Sequence, residues 1–288
     1  MIPQAEASSF LEELGIAELP IVPVEICRKL GICYREDHLT GLDGVLILHP
    51  STGHSLICVS NRITEQGRKN FTIAHELGHY CMDGLRKTEF YCSSEVVESF
   101  KSTIDPMELR ANEFAAELLM PQNIYQPLVK KMEPGWDAIK DLARKSQTSL
   151  TATAIRFIDL SDFACCLIVS CAGKIRWFHK SEEFRPYVQM DSRLVSRGTV
   201  AFNIFQGCVP ADNFEDVKAC EWIAGKGVEP HTEILEWSLP LNSYGHVLTL
   251  LYDEEGIAGW DEEDGDDDDE KADIEWEPPT FHKSKRKS

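Results

Sequence analysis

The spacing of apolar positions changes several times along this chain, and each change marks an element. Near the start, "PVEICRKLG" predicts a short helix and "ICYRE" a strand after it. "GVLILHP" and "HSLICVS" are apolar runs joined through "STG", the pattern of a hairpin. From Thr64 the period lengthens to three and four, through Phe71, Ala74, His75, Leu77, Gly78 and Cys81, until Asp83-Gly84 ends the run. A second helix is expected over roughly 105–120, opened by Asp105 as a cap and Pro106 in the first turn, and stopped by Pro121. "WDAIKDLARKSQ" and "SLTATAIRFIDL" follow with a short polar turn between them, the outline of a helix-turn-helix.

Beyond residue 163 the pattern becomes strand-like. "FACCLIVSCAGKIRWFHKS" reads as two strands turning at Ala172-Gly173, and "TEILEWSLPL" and "GHVLTLLYDEE" as two more. "LVSRGTVAFNIFQG", between them, is expected to be helical. The chain is therefore predicted to be α+β in four parts. Residues 1–130 form a first domain, 131–162 a helical segment, 163–255 a small C-terminal α+β domain with a regulatory role, and 256–288 a tail.

Charge sharpens that division. The net charge is −19, and 15 acidic residues lie between Asp253 and Glu277 against one lysine. A stretch such as "DEEDGDDDDEKAD" has too little apolar surface to bury and is expected to be disordered. Residues 1–252, with 33 acidic and 24 basic residues, are only mildly acidic. In the helical segment Asp137, Asp141 and Asp159 offset Lys140, Arg144, Lys145 and Arg156, so no basic face forms and direct nucleic-acid binding is not expected.

No apolar run approaches the length of about twenty residues that a membrane helix needs, and the first residues lack a basic-then-apolar export signal. Ten cysteines occur without a C-x-x-C pair, which argues against a zinc ribbon and for reduced, buried thiols in a cytoplasmic protein.

The chemistry concentrates in "FTIAHELGHYCMDG", residues 71–84. On a helix, His75 and His79 lie one turn apart on one face and can aim both imidazoles at one metal ion. Glu76, one step round, sits where it can take a proton from an attacking water. The plain alternative is an amphipathic helix with two ordinary polar histidines. Against it, both histidines share the stripe of Phe71, Ala74 and Gly78, and inward polar groups need partners.

A third ligand is found in "MELRANEFAAELLMP". Glu108 shares a face with Ala111, Asn112 and Ala115, whose small side chains permit close approach to the first helix. Asn112, one turn on, is placed to hydrogen-bond a ligand histidine from behind. Glu113 is the alternative ligand; Glu113 and Glu117 are rotated off that face and are expected to be solvated or salt-bridged at the surface. His38, His49, His54, His179, His231, His246 and His282 are isolated and carry no such pattern.

Together, "FTIAHELGH" and "ELRANEFAAELLMP" resemble the ImmA/IrrE metallopeptidases, with their H-E-x-x-H and downstream E-x-x-A-N-x-F-A-x-x-L-L-M-P blocks. The resemblance covers about residues 20–160. It implies a gluzincin-like, zincin-type domain with Glu108 as third ligand and a cytoplasmic, site-specific protease that cleaves helix-turn-helix repressors of phage, mobile-element or stress genes. Arg110 stands where some relatives have an acidic residue. Zinc suits two nitrogens and one oxygen best, and manganese fits the same donors. Two other readings compete: a regulatory partner of a transcription factor that keeps the metal for structure, and a small-molecule metallohydrolase. An intact Glu76 favours the peptidase, because a purely structural site has no use for it.

Overall fold

The structure is a computed structural model that describes residues 2–49, 51–93, 105–190, 193–241 and 245–259. Its first sheet has the order β1-β3-β2-β4, with β1 Cys33–Asp37, β2 Gly44–His49, β3 His54–Ser60 and β4 Glu89–Cys92. The expected hairpin is there, with β2 antiparallel to β3 from Gly44↔Val59 to His49↔His54. β1 joins parallel to β3, and β4, a strand the apolar pattern does not announce, pairs antiparallel with β2 at the edge.

Two helices meet beside this sheet. α3, Gln66–Met82, buries every residue from Thr72 to His79. α4, Pro106–Leu119, opens as expected, with the Asp105 side chain accepting from the Met107 amide. A Cβ on Gly78 would lie 3.2 Å from the Phe114 ring and 3.3 Å from the Ala111 backbone, so the two helices touch along their small residues.

Two helices were not read from the pattern. α1, Pro3–Glu13, covers α4 through Phe10 against Phe114, and α5, Gln122–Val129, continues past Pro121. The short helix expected near the start is α2, Pro23–Lys29.

The expected helical pair is α6, Trp136–Ser146, and α7, Leu150–Leu160. The turn between them packs on the start of α3. Asn70 Nδ2 donates to the Gln147 carbonyl, and a Cβ on Gly67 would come within 2.6 Å of the Thr148 and Ser149 backbone. A Tyr125–Ser146–Thr148–Thr153 chain of hydroxyls fills the interior of that turn.

The second sheet is antiparallel, with the order β6-β5-β11-β10-β8 for β5 Cys165–Cys171, β6 Lys174–Lys180, β8 Glu215–Lys218, β10 Glu233–Leu241 and β11 His246–Tyr252. A two-stranded ribbon pairs β7 Tyr187–Val188 with β9 Ile223–Ala224. The alternation expected of strands assigns the two faces of the large sheet to different cores. Leu167, Val169, Leu248 and Leu250 share one core with Leu77, Phe114 and Trp136, while Cys166, Ile168, Val247 and Leu251 face a second core with Trp222 and Phe184. Trp136 also donates from its ring nitrogen to the Trp237 carbonyl at 2.6 Å.

The helix expected in "LVSRGTVAFNIFQG" shortens to α8, Val200–Phe205, because Gly198 and Gly207 bracket it. Its first amides, on Val200 and Ala201, donate to the buried Glu236 carboxylate on β10, which also accepts from Trp222 Nε1 and Ser238 Oγ. Burial pushes the Glu236 carboxyl above its ordinary range against the pull of those donors.

Three expectations need correction. The tail does not begin at 256: Asp253 accepts from the amides of Gly256 and Ile257, and Ile257 is buried in the second core, so residues 256–259 belong to the fold. Residues 260–288, which hold most of the acidic tail, lie outside the described residues. Not all cysteines are buried: all ten are free thiols, but Cys33, Cys208 and Cys220 are exposed and Cys81 and Cys171 are half-buried. Glu117 is not a surface residue; it is buried against Arg156 and accepts from Ser8 Oγ and the Gln122 amide.

Candidate metal centre and its surroundings

α3 and α4 bring His75, His79 and Glu108 together, with one ligand atom from each within 4.8 Å of the others. His75 Nε2 is 3.0 Å and His79 Nε2 is 3.3 Å from Glu108 Oε2, and the two Nε2 atoms are 3.1 Å apart. Both histidines are buried, and their rings meet edge to face.

The far nitrogens of both rings are committed elsewhere. His75 Nδ1 lies 2.9 Å from Asn112 Oδ1, and His79 Nδ1 lies 3.3 Å from Asp83 Oδ2. Since both partners are acceptors, Nδ1 carries the proton in each neutral ring, which leaves the two Nε2 lone pairs pointing at one another and at a carboxylate oxygen. Three electron pairs converging in a buried space repel unless a cation sits among them. Two nitrogens and an oxygen at such separations suit zinc, and the site fits the group that the sequence implies.

Asp83, which closes α3, was not singled out in the sequence. It is fully buried and accepts from Arg110 Nη2 at 2.9 Å through its other oxygen. Arg110 thus holds the carboxylate that orients His79. The readable signal was Asp83 four residues after His79 on the same helical face. Phe90 on β4 completes the wall, its ring stacked on His79 at 4.5 Å and 17°.

Glu76 is the anomaly. It is wholly buried on α3, and neither carboxylate oxygen has a hydrogen-bond partner among the described residues. Burial, with a further push from the Glu108 charge, raises its carboxyl well above the ordinary range. Burial also lowers His75 and so favours the neutral, coordinating ring. Glu108 shows the opposite balance: burial acts to raise it, but the neighbouring His75 and His79 imidazoles prevail and hold it down at about 2. Two carboxyls in one site are thereby driven apart, one toward a proton carrier and one toward a permanent anion.

The alternative carboxylate is not brought to the cluster. Glu113 is engaged by Gln4 Nε2 at 3.4 Å on the other side of α4. Of the isolated histidines, His179 pairs with Asp159 at 2.6 Å and His38 with Arg62 at 3.0 Å.

Residues 27–157, which include α3 and α4, match the family described as Peptidase_M78: IrrE N-terminal-like domain. No curated protein matches the chain in sequence. Among solved structures, a Mycobacterium tuberculosis transcriptional regulator is similar in fold, with a TM-score of 0.53 at 17% identity over 88% of this chain and 76% of that one. At that identity the likeness speaks for the fold alone. The matched segment has the two helices that carry the cluster inside it, so residues 27–157 form an IrrE N-terminal-like domain of the Peptidase_M78 family.

Proposed function

We propose that the protein is a cytoplasmic, zinc-dependent endopeptidase that cleaves a helix-turn-helix repressor and so derepresses stress, phage or mobile-element genes. The observation that carries the reading is the Glu76 carboxylate, buried and without a hydrogen-bond partner among the described residues, beside a three-donor cluster. Burying such a group unpaired costs several kcal/mol, which a fold tolerates only where the group has work to do.

Held by His75, His79 and Glu108, a divalent ion would supply Lewis acidity toward the scissile carbonyl and the attacking water. Glu76 accepts the proton of that water at a free carboxylate oxygen and passes it to the leaving amine. Asn112 and Asp83 fix the two rings so that Nε2 faces inward. Phe90, stacked on His79, keeps bulk water from that side.

A polypeptide substrate is supported by the edge strand. β4 stands at the end of its sheet, no strand among the described residues pairs with its outer edge, and Tyr91 and Leu85 are exposed beside it. An extended chain can add to such an edge through backbone hydrogen bonds. A regulatory setting is supported by the description of the fold neighbour as a transcriptional regulator. Direct reading of DNA is disfavoured because the turn between α6 and α7 is packed on α3. No helix among the described residues is long and apolar enough to cross a membrane.

Incubating the protein with zinc and a candidate repressor should give two discrete fragments, and none with chelator. Glu76→Gln should slow cleavage by on the order of 100-fold. An intact repressor that also fails to bind would shift the reading to a regulatory protein.

A further inference from the structure

The reason Glu76 stays without a partner lies across from it, on β2. A Cβ built on Gly44 would fall 2.6 Å from Glu76 Oε1 and 2.6 Å from Thr72 Cγ2, closer than real side chains come. Gly44 is not required by a turn: its φ is not positive, and it opens β2 already paired on both sides, with Val59 and Cys92. A glycine in a paired strand marks the close approach of another group, and here that group is the carboxylate.

The strand cannot withdraw to make room. The Asp43 amide donates to the Cys92 carbonyl at 2.8 Å, and the Asp43 carbonyl accepts from the Ser60 amide at 2.8 Å. Arg68, two turns before Glu76 on α3, reaches Asp43 Oδ2 with Nε at 3.2 Å and Nη2 at 2.7 Å. The backbone at 43–44 is thus tied to both neighbouring strands and to the helix that bears Glu76. Of the two side chains that meet at Gly44, Thr72 is tied through its hydroxyl to the Arg68 carbonyl, whereas no hydrogen bond among the described residues ties the Glu76 carboxylate.

We propose that Gly44 is a positioning residue for the Glu76 carboxylate: its bare backbone forms the floor on which the carboxylate rests, held by shape and not by a donor, with both oxygens left open. The proposal rests on the reading of Glu76 as proton carrier. Any side chain at 44 would push Oε1 away by about 0.8 Å to reach ordinary contact at 3.4 Å. A misplacement near 1 Å costs on the order of 100-fold in rate.

The test uses the full chain in a Thr72→Ser background, which removes the methyl that a Cβ would also strike and keeps the hydroxyl bonded to the Arg68 carbonyl. Crystal structures of the metal-free Thr72→Ser and Gly44→Ala/Thr72→Ser proteins should show β2 in place and the Glu76 carboxylate displaced. His75, His79 and Glu108 should be unmoved, and zinc should bind at about one ion per chain in both. Where cleavage is measurable, kcat should fall on the order of 100-fold with KM unchanged. Adding Gly44→Ala to Glu76→Gln/Thr72→Ser should then cost nothing further.

A carboxylate that stays in place while β2 retreats would overturn the proposal. So would an unchanged kcat, or a Gly44→Ala/Thr72→Ser protein that does not fold. The crystallographic comparison is independent of peptidase activity, so a protein that cleaves nothing would still decide the role of Gly44.

Discussion

At the scale of single residues the cluster is a set of divided duties among acceptors. His75 and His79 each spend Nδ1 on a buried acceptor, and that fixes where Nε2 points. Removing such an outer partner typically weakens a metal site 10- to 100-fold. Asp83→Asn should therefore weaken zinc binding by about that factor in a competition titration, while Asp159→Asn, on the surface pair with His179, should leave it unchanged.

Glu76 makes a prediction in the metal-free protein. Its folded carboxyl titrates above the unfolded value of about 4.3. The folded state thus binds the extra proton, and the resulting stability is complete below the unfolded value and is lost as pH rises toward the folded one. Glu76→Gln has no such proton. Its stability relative to wild type should rise by up to about 1.4 kcal/mol per pH unit through that window. Parallel urea-unfolding curves from pH 4 to 7 would contradict the assignment.

These residues were largely legible in the sequence. Two histidines four apart point one way on any helix, and Glu108 with Ala111, Asn112 and Ala115 shares one face by the same periodicity. Asp83 was harder to find, because an aspartate at a helix end before glycine serves equally as turn chemistry. Gly44 could not be found at all, since its neighbour Glu76 is 32 positions away and the contact exists only once α3 lies on β2.

At the scale of elements, the site depends on how closely α3 and α4 approach. Gly78 against the Ala111 backbone sets that distance, and backbone cannot yield as a side chain can. Gly78→Val should destabilise the protein by about 1–3 kcal/mol by overpacking and lower its zinc affinity together with its melting temperature. A variant as stable as wild type would show that the helices are not in contact there.

The long periodic elements α3, α4, α6 and α7 were readable from their apolar stripes, which a side-chain cap reinforces in two of them, Asp105 for α4 and Ser149 for α7. α1 and β4 were not. α1 buries only Pro3, Ala7 and Leu11, and β4 has four residues of which only Phe90 and Cys92 face inward. Such short patterns take their structure from what they pack against, which sequence periodicity does not record.

At the scale of the whole molecule, the large sheet is a wall with two faces. One face is part of the core that also holds α3, α4 and α6, joined by the Trp136–Trp237 hydrogen bond and the close approach of the Trp237 ring to Gly135. The helical and strand-rich halves recognised from the change of period are thus not separable by cutting the chain between them. A fragment ending at residue 162 would expose Trp136, Ile158 and Leu160 to water and should lose its cooperative melting transition, seen by circular dichroism. A sharp transition near that of the full chain would contradict the shared core.

The proposed metal centre stands or falls on whether His75, His79 and Glu108, close enough to share one ion, do hold one. Elemental analysis of purified protein should find about one divalent ion per chain in wild type and in Glu76→Gln, with ligand distances near 2.0–2.2 Å by X-ray absorption if it is zinc. His79→Ala and Glu108→Ala, folded by circular dichroism, should retain little or none. Stoichiometric metal in both of those variants would contradict it.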